Sequence, residues 1–525
     1  MLGAARARLV SRAERRQSAA HRGRGPAAGA ARQSAGSRIA PRKRIRQLHR
    51  GGAAVLRQIT SPFAVGVGAR LAAQLIAFAT VILAARYLTL ADFGAYALAW
   101  AVTVILATFV FSGLHQALLR SRDLAAELDT LFWLMAAVGA TGTAVMLVGG
   151  FASGGNATAL GRMFWSLAAI PLLQAPVSWL EAQLVRQGRV RAAAIVLAGA
   201  ELAGLAVAAA ALEAGLGDLA LALGRHAMVL AALAMTLALV RRLPRPVFRR
   251  DRLGAIGATV APLWTTSTLA MFSNYGADLV LGAFLNPAAV GAYRSGARIA
   301  TTLGELIVQP LTRLSWPRFA RLEKEENGRS RIRAAWLENM AVGAMLLWPI
   351  ACGLSLLATE LVEVTFGRDW SPAAPVVAIL ALARALRLFS ALLEPALICT
   401  GHSRSQLRIR IAAAALLLAL LLGFGRLGAR EAALAQLCTA AALAAMALPV
   451  QARRLGITAG QMWRCFFPGL ALTLVCAGAI ILTAPLRSAL PGAPGFLATL
   501  ALLATIWTAA IAAALRSGRI ALPTP

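Results

Sequence analysis

Charged residues are scarce in this chain of 525 residues, and acidic residues are scarcer than basic ones. Asp and Glu number 21 against 53 Lys and Arg, and the charged types together make up 14% of the sequence. In soluble domains, charged residues make up about a quarter of the sequence. Apolar residues make up 59%, so the composition argues against a set of soluble domains.

Cysteine is also rare, and sequence signatures of catalysis are missing. The five cysteines lie mostly inside apolar blocks, and their spacing fits neither metal ligands nor a disulfide framework. The sequence has no Walker loop, no HExxH motif and no paired carboxylates in a large loop. We therefore predict a protein that is not an enzyme and that uses no metal and no cofactor.

Long apolar runs are what the chain has instead. Blocks of about twenty residues, the length that crosses a hydrocarbon core about 30 Å thick, recur along the sequence. The fourteen predicted spans are residues 62–85, 93–119, 128–150, 160–183, 192–212, 218–240, 254–283, 288–312, 337–358, 371–399, 411–425, 431–450, 465–484 and 495–515. The sequence thus predicts an all-α polytopic membrane protein of about 14 transmembrane helices.

The basic residues are distributed as a topology signal, which argues against a nucleic-acid partner. With residues 1–61 inside, 41 of the 53 Lys and Arg fall on the cytoplasmic side and 6 in outside loops, as the positive-inside rule requires. We predict a bacterial inner-membrane protein with both termini in the cytoplasm. Residues 1–61 carry fifteen Lys and Arg and one acid, which predicts a disordered tail that touches anionic lipid.

A nine-residue motif occurs twice. Leu88–Tyr96 and Leu285–Tyr293 are identical at five positions and lie 197 residues apart, and each opens the second of six spans. Six spans return the chain to its starting side, so both sets enter the membrane in the same sense. The repeat predicts two six-helix bundles related as parallel repeats by a pseudo-two-fold axis along the membrane normal, with a site between them. The predicted order is a tail (1–61), a first lobe (62–240), a basic linker (241–253), a second lobe (254–450), and two extra C-terminal helices with a short tail (451–525).

The repeated residues and the segments that follow them resemble a known family. The segments that carry the resemblance are Ala91–Tyr96, Gly113–Arg120, Pro287–Arg294, Gln309–Arg313, Pro317–Arg321, Glu360–Trp370 and Ala373–Pro375. In this order they are similar to Wzx-type polysaccharide and O-antigen flippases of the multidrug/oligosaccharidyl-lipid/polysaccharide (MOP) exporter superfamily.

The resemblance implies a V-shaped pair of bundles that opens alternately to each side of the membrane. Its cargo would be an undecaprenyl-pyrophosphate-linked sugar repeat unit, moved to the periplasmic leaflet for lipopolysaccharide O-antigen, capsule or exopolysaccharide. Other polysaccharide assembly proteins are possible partners. Two alternatives stay open at this point, a multidrug/cation antiporter of the same superfamily and a membrane polysaccharide polymerase or ligase.

Arginines inside the predicted spans are the candidate site residues. An arginine at the centre of a membrane helix costs about 2.5–3.5 kcal/mol on insertion scales, so each must face a hydrated cavity or pair with an acid. Its planar fork donates two hydrogen bonds to phosphate oxygens. The predicted substrate-binding residues are Arg70, Arg294, Arg298, Arg384 and Arg387.

Helical spacing arranges these residues in polar stripes. The stripes are Arg70 and Gln74 on span 1, Asn274 and Asp278 on span 7, Arg294, Arg298, Thr301, Glu305 and Gln309 on span 8, and Arg384, Arg387 and Glu394 on span 10. They predict a lumen lined by spans 1, 7, 8 and 10. Candidates for ion coupling are Asp278, Glu305 and Glu394.

Three residues admit a second interpretation. Asp278 and Arg294 can form a purely structural ion pair, since they flank one short turn. Glu201, a lone acid in span 5, can face the lumen or pair with another helix. Arg225, near the outer end of span 6, is predicted to be structural.

Overall fold

The computed structural model describes residues 62–121 and 124–516, and the elements in these ranges are helices joined by short turns. The α-helices are α1 (Pro62–Ala85), α2 (Leu90–Thr108), α3 (His115–Arg120), α4 (Leu124–Ala152), α5 (Ala159–Leu167), α6 (Ile170–Arg186), α7 (Val190–Glu213), α8 (Leu219–Val240), α9 (Leu253–Phe284), α10 (Pro287–Leu322), α11 (Gly328–Leu356), α12 (Ala358–Thr365), α13 (Ala374–Ala391), α14 (Leu393–Cys399), α15 (Ser403–Phe424), α16 (Ala429–Leu455), α17 (Ala459–Leu482), α18 (Ala484–Ala489) and α19 (Ala493–Arg516). The predicted tail 1–61 lies outside the described residues.

Twelve helical stretches in the described ranges are long and apolar enough to cross a membrane. The all-α polytopic membrane class predicted from the sequence is confirmed. The seventh and eighth predicted spans, α9 and α10, are not among the twelve. They are nevertheless 32 and 36 residues long, and α10 is less apolar because it carries the predicted stripe of arginines and other polar residues.

The repeated motif forms the contact between α2 and α10. The two helices begin at equivalent caps, since the side chain of Thr89 accepts from the Asp92 N–H and that of Asn286 from the Ala289 N–H. Such caps satisfy N–H groups that a helix start leaves unpaired. The two helices then pack closely against each other.

Two equivalent glycines make this close approach possible. A methyl group on Gly94 would lie 1.7 Å from the carbonyl oxygen of Pro287, and one on Gly291 would lie 2.1 Å from that of Leu90. Leu90 and Pro287 are themselves separated by the repeat offset of 197 residues. The contact is therefore reciprocal, as a two-fold relation between the repeats requires.

Helix neighbours are duplicated in the same way. In the first half α1 packs on α7, α4 on α6, and α7 on α8; in the second half α9 packs on α15, α11 on α13, and α15 on α16. Of the two extra helices, α17 packs on α11 and α19 packs on α17. The predicted lobe boundaries, 62–240 and 254–450, remain a proposal that agrees with these neighbours.

Several predicted boundaries are wrong. The predicted loop 313–336 is mostly helical, because α10 continues to Leu322 and α11 begins at Gly328. The second span contains a π-helical segment, Phe109–Leu114. The tenth span is interrupted between α13 and α14, where the ring of Pro395 would clash with the carbonyl group four residues earlier, at Ala391. The Thr312 hydroxyl lies 3.5 Å from that carbonyl oxygen and donates to it.

Candidate functional site: an arginine-lined cavity

A cavity of about 480 Å³ lies between the helices of the first half and α10. Residues of α1, α2, α6, α7 and α8 form one wall, and residues of α10 form the other. Much of the lining is apolar, including Trp100, Phe111 and Met228. Cavities of a few hundred cubic ångströms with a few convergent polar groups are typical of ligand sites.

Ionisable side chains converge on this cavity. The described lining residues include Arg70, Arg225, Arg298 and Arg313, together with Glu181 and Glu201. These residues include two more arginines than glutamates. The lining therefore carries a formal surplus of two positive charges in a space that a membrane-spanning fold encloses.

The stripe on α10 accounts for much of the cavity's second wall. Arg298, Gln309 and Arg313 all line the cavity, and the Arg313 guanidinium lies 3.5 Å from the Gln309 amide oxygen and donates to it. Thr301 donates instead to the Ala297 carbonyl of its own helix at 2.8 Å. The side chain of Glu305 lies outside the described residues.

The residues predicted on α1 also reach the cavity. Arg70 and Gln74, one helical turn apart, both line it, and Arg70 is exposed. Two of the five predicted substrate-binding arginines, Arg70 and Arg298, are thus brought to one cavity. Their binding role stays a prediction.

Arg225 and Glu201 are fixed against each other at the cavity wall. The Arg225 Nε donates to the Tyr96 hydroxyl at 2.9 Å, and another guanidinium nitrogen lies 3.7 Å from the Glu201 carboxylate. The guanidinium carbon stands 4.5 Å above the Trp100 ring, a cation–π contact. Glu201 therefore both faces the cavity and pairs with a neighbouring helix, and Arg225 has structural partners as predicted.

Arg294 and Asp278 form the ion pair that was the alternative interpretation. Their closest atoms, Arg294 Nη1 and Asp278 Oδ2, are 3.2 Å apart, and the Asp278 side chain is fully buried. The Arg294 guanidinium also stands 4.5 Å above the Tyr275 ring. Asn274, one turn before Asp278, is exposed, so the predicted stripe on α9 is divided between two environments.

The arginines of α13 lie inside the second half. Arg387 donates to the Gln436 amide oxygen of α16 at 2.8 Å, and it is not among the described residues that line the cavity. The aliphatic part of Arg384 packs against Gly304 of α10. The expected lining by spans 7 and 10 is replaced, among the described residues, by α6, α7 and α8.

Glu394 is separated from these arginines by the break that precedes α14. It pairs instead with Arg410 of α15 at 2.7 Å. Two of the three ion-coupling candidates, Asp278 and Glu394, therefore have arginine partners. Neither of them is among the described residues that line the cavity.

Sequence reasoning missed two ionisable residues of the cavity. Glu181 lies seven residues after Gln174 on α6, which places both on one helical face, and both line the cavity. That spacing could have identified Glu181 from the sequence. Arg313 was assigned to a loop because the predicted eighth span ended one residue before it.

The fold is similar to that of solved transporters, one of which is described as a member of the MOP superfamily. It matches the lipid II flippase MurJ in an inward closed conformation with a TM-score of 0.68 and 9% sequence identity, over 86% of this chain and 98% of that one. It also matches an inward-facing multidrug resistance MATE transporter with a TM-score of 0.59 and 15% identity, over 73% and 94% of the two chains.

The sequence places the chain in a particular family. The model of the family described as "Polysaccharide biosynthesis protein" matches residues 82–375, more than half of the chain. The protein belongs to this family.

Two curated relatives agree with this assignment. The succinoglycan biosynthesis transport protein ExoT of Rhizobium meliloti (strain 1021) is 26% identical over 316 residues, 59% of this chain and 63% of the relative. The teichuronic acid biosynthesis protein TuaB of Bacillus subtilis (strain 168) is 31% identical over 111 residues, 21% of this chain and 22% of the relative. The matches thus span less than two thirds of either relative.

Proposed function

We propose that this protein is a flippase that moves undecaprenyl-pyrophosphate-linked sugar repeat units from the cytoplasmic to the periplasmic leaflet of the bacterial inner membrane. The observation that carries the proposal is the cavity between the first half and α10, where the described lining has more arginine than glutamate. Arginine suits a pyrophosphate because its planar fork donates to two oxygens at once.

The comparisons support a polysaccharide-related cargo. The family is described as polysaccharide biosynthesis, and one relative carries the name of a succinoglycan transport protein. The lipid II flippase MurJ has a similar fold.

The topology predicted from the basic residues supports the proposed direction of transport. In the predicted topology α1 begins and α10 ends on the cytoplasmic side, and Arg70 and Arg313 lie toward those ends. The cavity would then receive its cargo from the cytoplasmic leaflet. An inside-negative potential favours outward movement of an anion by about 2.3 kcal/mol per charge per 100 mV, so a pyrophosphate dianion would be driven outward.

A cation antiporter is the main competing function, because a MATE transporter shares the fold. The charge of the cavity disfavours it. A surplus of arginine repels a cationic cargo, and selection against a wrong partner commonly uses such repulsion. A polymerase or ligase is disfavoured by the short predicted outside loops.

The proposal is tested by replacing Arg298 with alanine and measuring glycan export in cells. We expect Arg298→Ala to abolish export while membrane levels of the protein stay normal. Arg298→Lys should restore export in part, because lysine keeps the charge and loses the bidentate fork. Arg321→Ala is the matched control, since Arg321 is exposed on the same helix and does not line the cavity.

Three outcomes distinguish the proposed function from a structural role of Arg298 and from an antiporter. Normal export by Arg298→Ala refutes the cationic-cavity mechanism. Loss of the protein from the membrane assigns Arg298 a structural role instead. Loss of drug resistance with glycan export intact would favour the antiporter.

A further inference from the structure

A second arginine cluster shares no lining residue with the cavity described above. It lines an open cavity of about 510 Å³ between the start of α11 and the end of α16. Arg329 and Arg333 come from α11, and Arg453 and Arg454 come from α16. None of the described residues that line it is acidic.

At this cavity the start of α11 contributes positive partial charge and the end of α16 contributes negative partial charge. Helix α11 begins at Gly328, inside the lining, and the start of a helix carries partial positive charge with N–H groups that suit an anion. Asn327 precedes it in the left-handed conformation, with φ of 60°. Helix α16 ends at Leu455 and is capped by Gly456, which also has a positive φ, of 67°.

One of the four arginines, Arg333, is held in place by a hydrogen bond within the protein, and the other three are exposed. Arg333 Nη1 donates to the Gly456 carbonyl oxygen at 3.1 Å and so joins the two helix ends. Arg329, Arg453 and Arg454 are exposed. The turn before α11 contains Glu323, Glu325 and Glu326, none of which lines the cavity, and Glu325 pairs with Arg331.

The position of the cluster at the ends of two candidate spans indicates which kind of anion it binds. Both helices are candidate membrane spans, and the cluster lies where one span begins and the other ends. Helix α17 begins three residues after Gly456, and its first turns expose Trp463 and Phe467 to 61% and 51%. Exposed aromatic residues at the ends of spans are typical of the membrane–water interface. We therefore expect the arginines at the level of lipid headgroups.

We propose that Arg329, Arg333, Arg453 and Arg454 form a binding site for the phosphate groups of an anionic membrane phospholipid. The four guanidinium groups match a headgroup with more than one phosphate, since arginine donates bidentately to phosphate oxygens. Basic pockets between membrane helices bind such headgroups. The site is separate from the transport cavity, so it is independent of the proposed cargo.

The test is lipid binding by the full chain in detergent, followed by native mass spectrometry with tetraoleoyl cardiolipin as the probe. We expect the double variant Arg453→Gln/Arg454→Gln to bind roughly thirtyfold more weakly, because each basic residue near the surface contributes about 1 kcal/mol. The matched control is Arg404→Gln/Arg408→Gln, which removes two exposed arginines at the start of α15. The control should bind within about twofold of the unaltered protein.

Further measurements distinguish a lipid headgroup from a soluble anion as the source of the bound phosphate. Dioleoylphosphatidylcholine, which has no net charge, should bind weakly to every variant, and inorganic pyrophosphate should not displace cardiolipin. Arg329→Gln, on the facing helix, should also weaken cardiolipin binding, whereas Arg298→Ala should not. Equal losses in the control variant would overturn the site, and displacement by pyrophosphate at the lipid's own concentration would show that a soluble anion is bound instead.

Discussion

Two groups of arginines in the membrane helices have different surroundings. Arg294 pairs with the buried Asp278, and Arg387 donates to Gln436. Arg70 of α1 and Arg298 of α10 line a cavity. Either arrangement avoids the cost of about 2.5–3.5 kcal/mol for arginine at the centre of a membrane helix. Position along a span therefore identifies an arginine that needs compensation, and only its surroundings separate a structural role from a binding role.

The largest expected effect comes from breaking the buried ion pair. Arg294→Ala leaves the Asp278 carboxylate, which is fully buried, without its charged partner. Removal of one member of a buried pair typically costs 3–5 kcal/mol, and we expect a destabilisation of about this size. The measurement is thermal unfolding of the purified protein together with its level in the membrane.

The double variant Asp278→Asn/Arg294→Met is the control for this prediction. It removes both charges, so most of the lost stability should return. A stable Arg294→Ala variant that has lost export would contradict the structural role and would move Arg294 to the same class as Arg298.

A smaller effect is expected at Arg387. Arg387→Met removes the 2.8 Å hydrogen bond to the Gln436 amide oxygen, and the loss of a partner for a buried polar group costs about 1–3 kcal/mol. We expect lower thermal stability and unchanged export per folded molecule. Gln436→Leu in the same chain should restore part of the stability. Lost export at unchanged stability would show that Arg387 reaches the cargo in another conformation.

The sequence predicted the fold class because its signals are strong and redundant. Apolar run length and the distribution of arginine both report on the membrane, and the repeat of Leu88–Tyr96 in Leu285–Tyr293 predicted equivalent second helices in each half. Their direct contact through Gly94 and Gly291 was not predictable. A glycine shows that a backbone can approach closely, but the sequence does not name the helix that approaches.

The site was predicted less well because helical periodicity gives a face and no partner. It placed Arg298 and Gln309 on one face of α10, and both line the cavity. The same reasoning joined Arg387 and Glu394 across the break before Pro395. It also omitted Glu181 of α6, which acquires its significance from the arginines of other helices.

The last expected effect is the smallest and concerns Arg70, which is exposed and lies toward the start of α1. Because solvent screens an exposed charge, Arg70→Gln should weaken apparent cargo affinity by roughly fivefold, equivalent to about 1 kcal/mol per surface arginine. The measurement is transport of the lipid-linked oligosaccharide in proteoliposomes at two salt concentrations.

Salt separates Arg70 from the deeper arginine of the same cavity. The screening length falls from about 10 Å at 0.1 M to about 3 Å at 1 M ionic strength, so the difference between Arg70→Gln and the unaltered protein should nearly vanish at high salt. The defect of Arg298→Ala should persist, because Arg298 is half-buried. Arg86→Gln is the control, since Arg86 is exposed just beyond the other end of α1 and does not line the cavity. An Arg70 defect that persists in 1 M salt would place this residue in direct contact with the cargo and would remove the distinction between the mouth and the interior of the cavity.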